Sequence, residues 1–377
     1  MRNYSLSMCF RPLAMASVFF CSFSLQADTL NAITQLKVGK PSNQYIYSAN
    51  QGAHNLTAYK LNEATGNLMP LAGSPFKTGR FPVSVTTTAD GKYVYVVNQG
   101  SKTISAYQMD PEHNSLQTVP GSPFDVGLYP DSITVTPNGQ YAFITKEDED
   151  RVLVFTIDQQ TGALKNTGHQ AATEKHPISV NVSPNGKFAY VTNFYAHSVS
   201  AYRIDYENGE LRPIGKSVKT DERPIYITIS PDNRFAFTAN YGSTTISVFM
   251  IDQQTGALRE VTGSPFMAGA QPYSVTVDKD QRYVYSANWG SHDVSAFKLN
   301  NDNGALKEIQ GSPYQAGWFP YAVVINPSQE YAYVSNNGSN TISAYKINQQ
   351  TGGLETLADS PIPTGAGPYA LAITELH

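Results

Sequence analysis

Residues 82–107 read PVSVTTTADGKYVYVVNQGSKTISAY, and the punctuation of that stretch decides the fold. Pro82 opens a short strand, and a turn of the Pro-Asn-Gly kind follows at Ala89-Asp90-Gly91. Tyr93-Val94-Tyr95-Val96-Val97 is then an aromatic and β-branched strand that stops at Asn98. An Asn-x-Gly-Ser turn leads into a third strand, Thr103-Ile104-Ser105-Ala106-Tyr107. The same grammar recurs along the chain. Pro82, Pro130, Pro177, Pro224, Pro272, Pro320 and Pro368 stand at steps of 47 or 48 residues. Asn50, Asn98, Asn193, Asn240, Asn288 and Asn336 each close the aromatic run, with Lys146 in the third of these seven positions. A Thr-Gly turn comes next, twice inside the identical string Ile-Asp-Gln-Gln-Thr-Gly-Ala-Leu at 157–164 and 251–258, and a fourth strand ends near Gly-Ser-Pro-Phe. Four short strands with turn chemistry at every junction make one propeller blade.

Working outward, the two ends complete each other. The N-terminal unit has second, third and fourth strands, from Tyr45, Leu56 and Leu68, but no Pro-led first strand. Residues 368–374 supply one, so pairing them with the run ending at Asn50 closes a ring of seven blades and removes two exposed sheet edges. The expected architecture is an all-β, seven-bladed propeller of four-stranded antiparallel blades, one domain over 28–377, in which each unit needs only its neighbours.

Composition agrees with strands: 24 Tyr and 17 Phe, with 28 Gly and 23 Pro as punctuation. A formal charge of −4 with 15% charged residues leaves no electrostatic footprint for nucleic acid and no polybasic membrane anchor. Residues 1–27 read as a cleavable signal peptide: Arg2 and Arg11 precede an apolar stretch, 13–25, too short to span a bilayer, and the cut is placed near Ala27. Cys9 and Cys21 both lie inside it, so the mature chain has no disulfide and no thiol nucleophile. A periplasmic or secreted monomer without a transmembrane segment is expected.

A ligand without sevenfold symmetry must be met where the repeat breaks. The Asn series and the tyrosine pairs read as framework, capping turns and filling the space between blades. Three departures remain. Lys146-Glu147-Asp148-Glu149-Asp150-Arg151 replaces the Asn-x-Gly-Ser turn in blade three. Glu174-Lys175-His176 and Asp221-Glu222-Arg223 replace Gly-Ser-Pro-Phe connections. All three gather on one face across blades three to five. Beside them runs an aromatic arc, Phe194, Tyr241 and Trp289 after the repeated Asn, with Trp318, Phe319 and Tyr321 entering blade seven. The ligand-binding candidates are therefore Lys146, Glu147, Asp148, Phe194, Tyr241, Trp289, Trp318 and Tyr321, a set suited to a protein segment or a glycan. The seven His residues show no ligand spacing, the run 147–150 reads as a solvated acidic tip, and no metal or cofactor is expected. There is no Gly-x-Ser-x-Gly elbow.

The registers of Pro and Asn, and Tyr-Val-Thr-Asn at 190–193, resemble the propeller family that includes 6-phosphogluconolactonase and the carboxymuconate cyclases, and the surface-layer propellers named for that tetrapeptide. The resemblance covers essentially the whole mature chain. It implies hydrolysis of a sugar lactone, but Ile178, Ser179 and Phe194 stand where the family's Arg, His and Glu are expected, and Lys146-Glu147 replace an Asp-Leu ahead of the retained Asp150-Arg151-Val152. Two functions follow as expectations. The first is a non-catalytic binding or scaffold propeller acting through the face of blades three to five. The alternative is a lactone hydrolase, in which His176 would be the general base and Arg223 the oxyanion partner.

Overall fold

Each aromatic run becomes a strand because it is covered on both faces. The chain is described by a computed structural model over residues 43–376; the expected signal peptide, its two cysteines and residues 28–42 lie outside the described residues. In blade two the strands Pro82–Thr87, Tyr93–Asn98, Thr103–Asp110 and Ser115–Thr118 pair antiparallel in that order, from the centre outward. All six residues of Tyr93–Asn98 are buried, whereas Thr103–Asp110 dips into partial exposure and the outermost strand faces solvent. A second strand wedged between two neighbouring blades has no solvent face, so it is apolar without alternation.

Blades two to seven start at Pro82, Pro130, Pro177, Pro224, Pro272 and Pro320. Blade one consists of Gln44–Asn50, Asn55–Leu61 and Leu68–Pro70, and its innermost strand is Pro368–Glu375 from the other end of the chain. The closing register runs antiparallel, with Gln44 opposite Glu375 and Ile46 opposite Ile373. The expected seven-bladed, all-β ring is the fold.

Neighbouring blades share cores rather than each having its own. Tyr95 and Val97 of blade two pack with Ile133 and Ile144 of blade three, and Ile46 and Tyr59 of blade one pack with Tyr333 and Ile342 of blade seven. Burying one such large side chain contributes roughly 1.5–3 kcal/mol. The tyrosines add a polar latch. The Tyr95, Tyr190, Tyr285 and Tyr333 hydroxyls donate to the carbonyls of Gly162, Gly256, Gly352 and Gly66, each in the Thr-Gly turn of the next blade. Gly162 has φ +75°, and a Cβ there would lie 2.4 Å from the Tyr93 ring, so that turn requires glycine twice over.

Blade three departs at its outer edge. In blades one, two, five, six and seven the outermost strand is broken at a Ser-Pro, and the Ser Oγ accepts a third-strand N–H, as from Ala106 to Ser122 at 2.9 Å. Blades three and four lack the Ser-Pro; in blade four the strand still breaks, into Leu211–Pro213 and Val218–Lys219, whereas in blade three it continues unbroken over Leu164–Ala172. No helix among the described residues is long and apolar enough to cross a membrane.

Candidate functional site

The innermost strands run down the axis, and the loops that feed them share one face, here the upper face, with the turns between second and third strands. The residue before each Pro is left-handed in all seven blades: Phe81, Tyr129, His176, Arg223, Gln271, Phe319 and Gly367 have φ between 50° and 64°. Its carbonyl accepts the N–H of the residue after the repeated Asn, as from Phe194 to His176 at 2.9 Å and from Tyr241 to Arg223 at 3.0 Å. The turn ahead secures its N–H: His54, His197 and His292 accept through Nδ1 from Phe81, Arg223 and Phe319 at 3.2, 2.9 and 3.2 Å. In blade three Asp150 Oδ1 does the same for His176 at 2.9 Å. Three histidines without ligand spacing thus occupy one repeat position and serve the framework.

The residue after each Pro faces the mouth of the axial channel. Val83, Ile178 and Ile225 make one apolar arc and Tyr273, Tyr321 and Tyr369 make an aromatic one; Asp131 interrupts the ring. These side chains enclose a cavity of ≈ 220 Å³ that continues down the channel past Tyr226 and Asn181. Tyr273 and Tyr321 rings lie 4.1 Å apart and Tyr321 and Tyr369 4.4 Å, and the Tyr273 and Tyr369 hydroxyls are hydrogen-bonded to each other. Burial pushes both phenols up, and the Asp131 charge adds to the effect.

Asp131 and Glu147 form an acidic pair at this mouth. One Gln99 amide serves both, its Nε2 donating to Asp131 Oδ1 at 3.2 Å and to Glu147 Oε1 at 3.4 Å. Burial, with Glu147 beside it, pushes the Asp131 carboxyl up to about 8. Burial, with Asp148 next in chain, raises Glu147 as well. The other Glu147 oxygen, Oε2, is 3.5 Å from His176 Nε2, and Asp148 Oδ1 is 3.9 Å from His176 Nδ1. Burial lowers His176 against the opposing pull of Asp148 and Asp150, which favours a neutral imidazole at neutral pH. Two coupled carboxyls and a neutral imidazole can divide acid and base duties.

The candidates from the sequence separate accordingly. Glu147, His176 and Tyr321 are at the mouth, and Asp148 stands on its rim with 52% of its side chain exposed. The run 147–150 is not simply a solvated tip: Glu147–Glu149 form a short 3-10 turn that directs Glu147 inward. Lys146 requires correction. It is 1% exposed, its Nζ donates to the Val126 carbonyl at 2.8 Å and pairs with Glu149 at 3.4 Å, so it binds nothing at the surface. Its location has a physical reason. The Asn that it replaces is buried and ties the second strand to hydroxyls of the third, as Asn98 Nδ2 does to Thr103 and Ser105. Arg151 and Leu153 offer no such hydroxyls, and Lys146 reaches the next connection instead. Arg223 does not line the cavity; its guanidinium lies 5.9 Å above the Phe194 ring. Glu174 and Asp221 take the place of a connection glycine and accept from Ser198 and Thr245 at 2.8 and 2.7 Å, which makes these two residues structural.

The aromatic arc is partly core. Phe194 and Tyr241 pack against the cluster built on Phe235, Phe237 and Val248. Trp289 is half-buried and stacks on Phe319 at 4.5 Å, whereas Trp318 is 66% exposed and lies parallel to His292 at 6.1 Å. Sequence reasoning missed Asp131, Gln99, Tyr273 and Tyr369. Asp131 did carry a signal, as the single acid among the seven residues that follow the repeated Pro. No group of three metal-ligating side chains gathers among the described residues.

The profile of the family described as "Lactonase, 7-bladed beta-propeller" matches in five overlapping stretches, 35–128, 74–181, 120–224, 169–272 and 262–369. Among solved structures, a candidate 6-phosphogluconolactonase from Bacteroides uniformis superposes with a TM-score of 0.77 at 20% identity, over 89% of this chain and 100% of that one. A second, from Bacteroides fragilis, gives 0.77 at 22% identity over 90% and 99%. The periplasmic gluconolactonase of Pseudomonas aeruginosa gives 0.73 at 19% identity over 89% and 100%. At these identities the superpositions establish the shared fold. No curated protein sequence matches the chain.

Proposed function

The chain belongs to the lactonase family of seven-bladed β-propellers, and from that premise we propose that it hydrolyses a small hydroxylated lactone at the upper mouth of the channel. The carrying observation is the Asp131–Glu147 pair, bridged by Gln99 and backed by His176 beside a cavity of ≈ 220 Å³. The names of the three structural neighbours, two 6-phosphogluconolactonases and a gluconolactonase, support the substrate class.

In this reading Glu147, ionised, takes a proton from water as the water oxygen bonds to the lactone carbonyl carbon. Asp131 holds its proton at neutral pH and donates it towards the carbonyl oxygen as negative charge develops there. Collapse of the tetrahedral intermediate breaks the ring C–O bond, and the departing oxygen recovers the proton from Glu147. The product is the open hydroxy acid. Neutral His176 steadies Glu147 through Oε2. This assignment moves the base from His176 to Glu147 and gives the oxyanion role to Asp131 rather than Arg223.

Titration of acid release from a hydroxylated δ-lactone tests the proposal. Turnover above the spontaneous rate should fall at least about 100-fold in Glu147→Gln, in the range for loss of a general base. Wild-type protein no faster than buffer would end the lactonase reading. Export, proposed from residues 1–27, would place the reaction outside the cytoplasm.

A second reading, a non-catalytic interaction propeller, is favoured by the exposure of Trp318 and Tyr195 on the same face, 66% and 58%. It would gain weight if Trp318→Ala abolished capture of an envelope component without affecting the thermal midpoint.

A further inference from the structure

The chemistry of the mouth is lopsided in charge. Asp131 is the one ionisable acid among the residues that enclose the cavity, Glu147 adjoins it through Gln99, and no Lys, Arg or His lines the space. Four cations of the same face have partners of their own. Lys146 is buried on the Val126 carbonyl, Arg151 holds Glu149 and Gln170, Arg223 lies over Phe194, and Arg80 bonds the Gly100 carbonyl. What remains for a ligand is neutral. Three tyrosine rings present faces, and the Tyr226 hydroxyl, which reaches the cavity, makes no protein hydrogen bond among the described residues. A cavity of ≈ 220 Å³ is below the roughly 300–1,000 Å³ of drug-sized sites, so it suits a single ring.

Resting on the lactonase reading, we infer that Glu147, held beside Asp131 by Gln99, selects substrate by charge: the mouth admits an uncharged polyhydroxylated lactone, rejects a lactone that carries a phosphate, and expels the carboxylate product. Aromatic faces and the unpaired Tyr226 hydroxyl suit the C–H and O–H surface of a sugar ring. A phosphate would sit near the Glu147 carboxylate with no cation lining the cavity to neutralise it, and such an opposed element discriminates as strongly as any attractive contact. Ring opening changes the ligand's own charge. The neutral lactone becomes a hydroxy acid that ionises above roughly pH 4, so the product is an anion created beside Glu147. Repulsion then acts after the chemistry, when release is needed, and leaves substrate capture untouched.

The test measures binding apart from turnover, using the full chain and calorimetric titration. The probes are a hydroxylated δ-lactam, a neutral analogue that does not hydrolyse, and its 6-phosphate. At neutral pH the neutral lactam should bind at least about 30-fold more tightly, and Glu147→Gln should narrow the gap to about threefold, whereas Asp131→Asn, which removes no charge there, should leave it nearly unchanged. In parallel turnover assays the aldonate product should inhibit only at concentrations about 30-fold above the KM for its lactone. Equal or tighter binding of the phosphorylated lactam, or no binding of the neutral one, overturns charge selection. Turnover of both lactones with equal binding leaves the lactonase reading standing and removes only this inference. Selective binding of the neutral lactam without turnover of either lactone does the reverse.

Discussion

Replacing Asp131 by Asn should make the protein more stable, and by an amount that depends on pH. In the fold its carboxyl is raised from an ordinary 3.8 to about 8 by burial and by Glu147. Because the folded pKa is the higher one, the contribution of Asp131 to stability is intact below about pH 4 and is lost as pH climbs through 8. A rise of roughly four pH units, at about 1.4 kcal/mol each, sets a ceiling of about 6 kcal/mol on the cost of holding the ionised form. The Gln99 hydrogen bond and the opening to the cavity reduce that cost, and about 2–4 kcal/mol is expected. Asn retains the shape and can still accept from Gln99, while removing the charge. The groups facing this position, Glu147, Tyr273, Tyr369 and, behind Glu147, His176, are unchanged in the variant. Urea unfolding of wild type and Asp131→Asn at pH 4, 6 and 9 gives the measurement. The two should coincide near pH 4 and diverge steadily, the variant becoming the more stable, up to about pH 8. Parallel curves across the whole range would mean that Asp131 is ionised without penalty, and the acid role assigned to it would fall with them.

Other outcomes follow from the same structure. Tyr333→Phe leaves the Gly66 carbonyl without its donor across the blade seven–blade one junction and should cost about 1–2 kcal/mol in urea unfolding, with no effect on lactone turnover. Removing residues 368–376 uncovers Tyr45, Ile46 and Tyr47, all 0% exposed, and should abolish a cooperative thermal transition; a midpoint within a degree or two of the full chain would refute the closure. Lys146→Asn restores the residue of the other six blades but meets Arg151 and Leu153 instead of hydroxyls, so it should lose about 1–3 kcal/mol rather than gain stability. His197→Ala removes the acceptor of the Arg223 N–H and the side chain at a φ of 51°; about 1–2 kcal/mol should be lost, read by thermal midpoint.

Much of the molecule is written in a local code. The Pro and Asn registers, the Thr-Gly turns and the complementary ends specify seven four-stranded blades closed by residues 368–374, because each strand, turn and pairing is a contact between near neighbours in a repeat. The breaks in that repeat at 146–151 and 174–176 lie on the face that carries the mouth. Their roles were not legible. Glu174 and Lys146 replace framework residues and became framework, since a buried polar group takes whatever partner its neighbours leave unpaired. Asp131 is on the first strand of blade three and Glu147 in the turn after its second strand, Gln99 is in blade two, and Tyr273 and Tyr369 come from blades six and one. Only closure of the ring brings them to one mouth, and burial there, with Glu147 beside it, pushes the Asp131 carboxyl up to about 8. The sequence by itself determined the ring. The tertiary structure decided which side chains meet at the axis, because a channel lined by every blade is set by distances across the ring that no local pattern encodes.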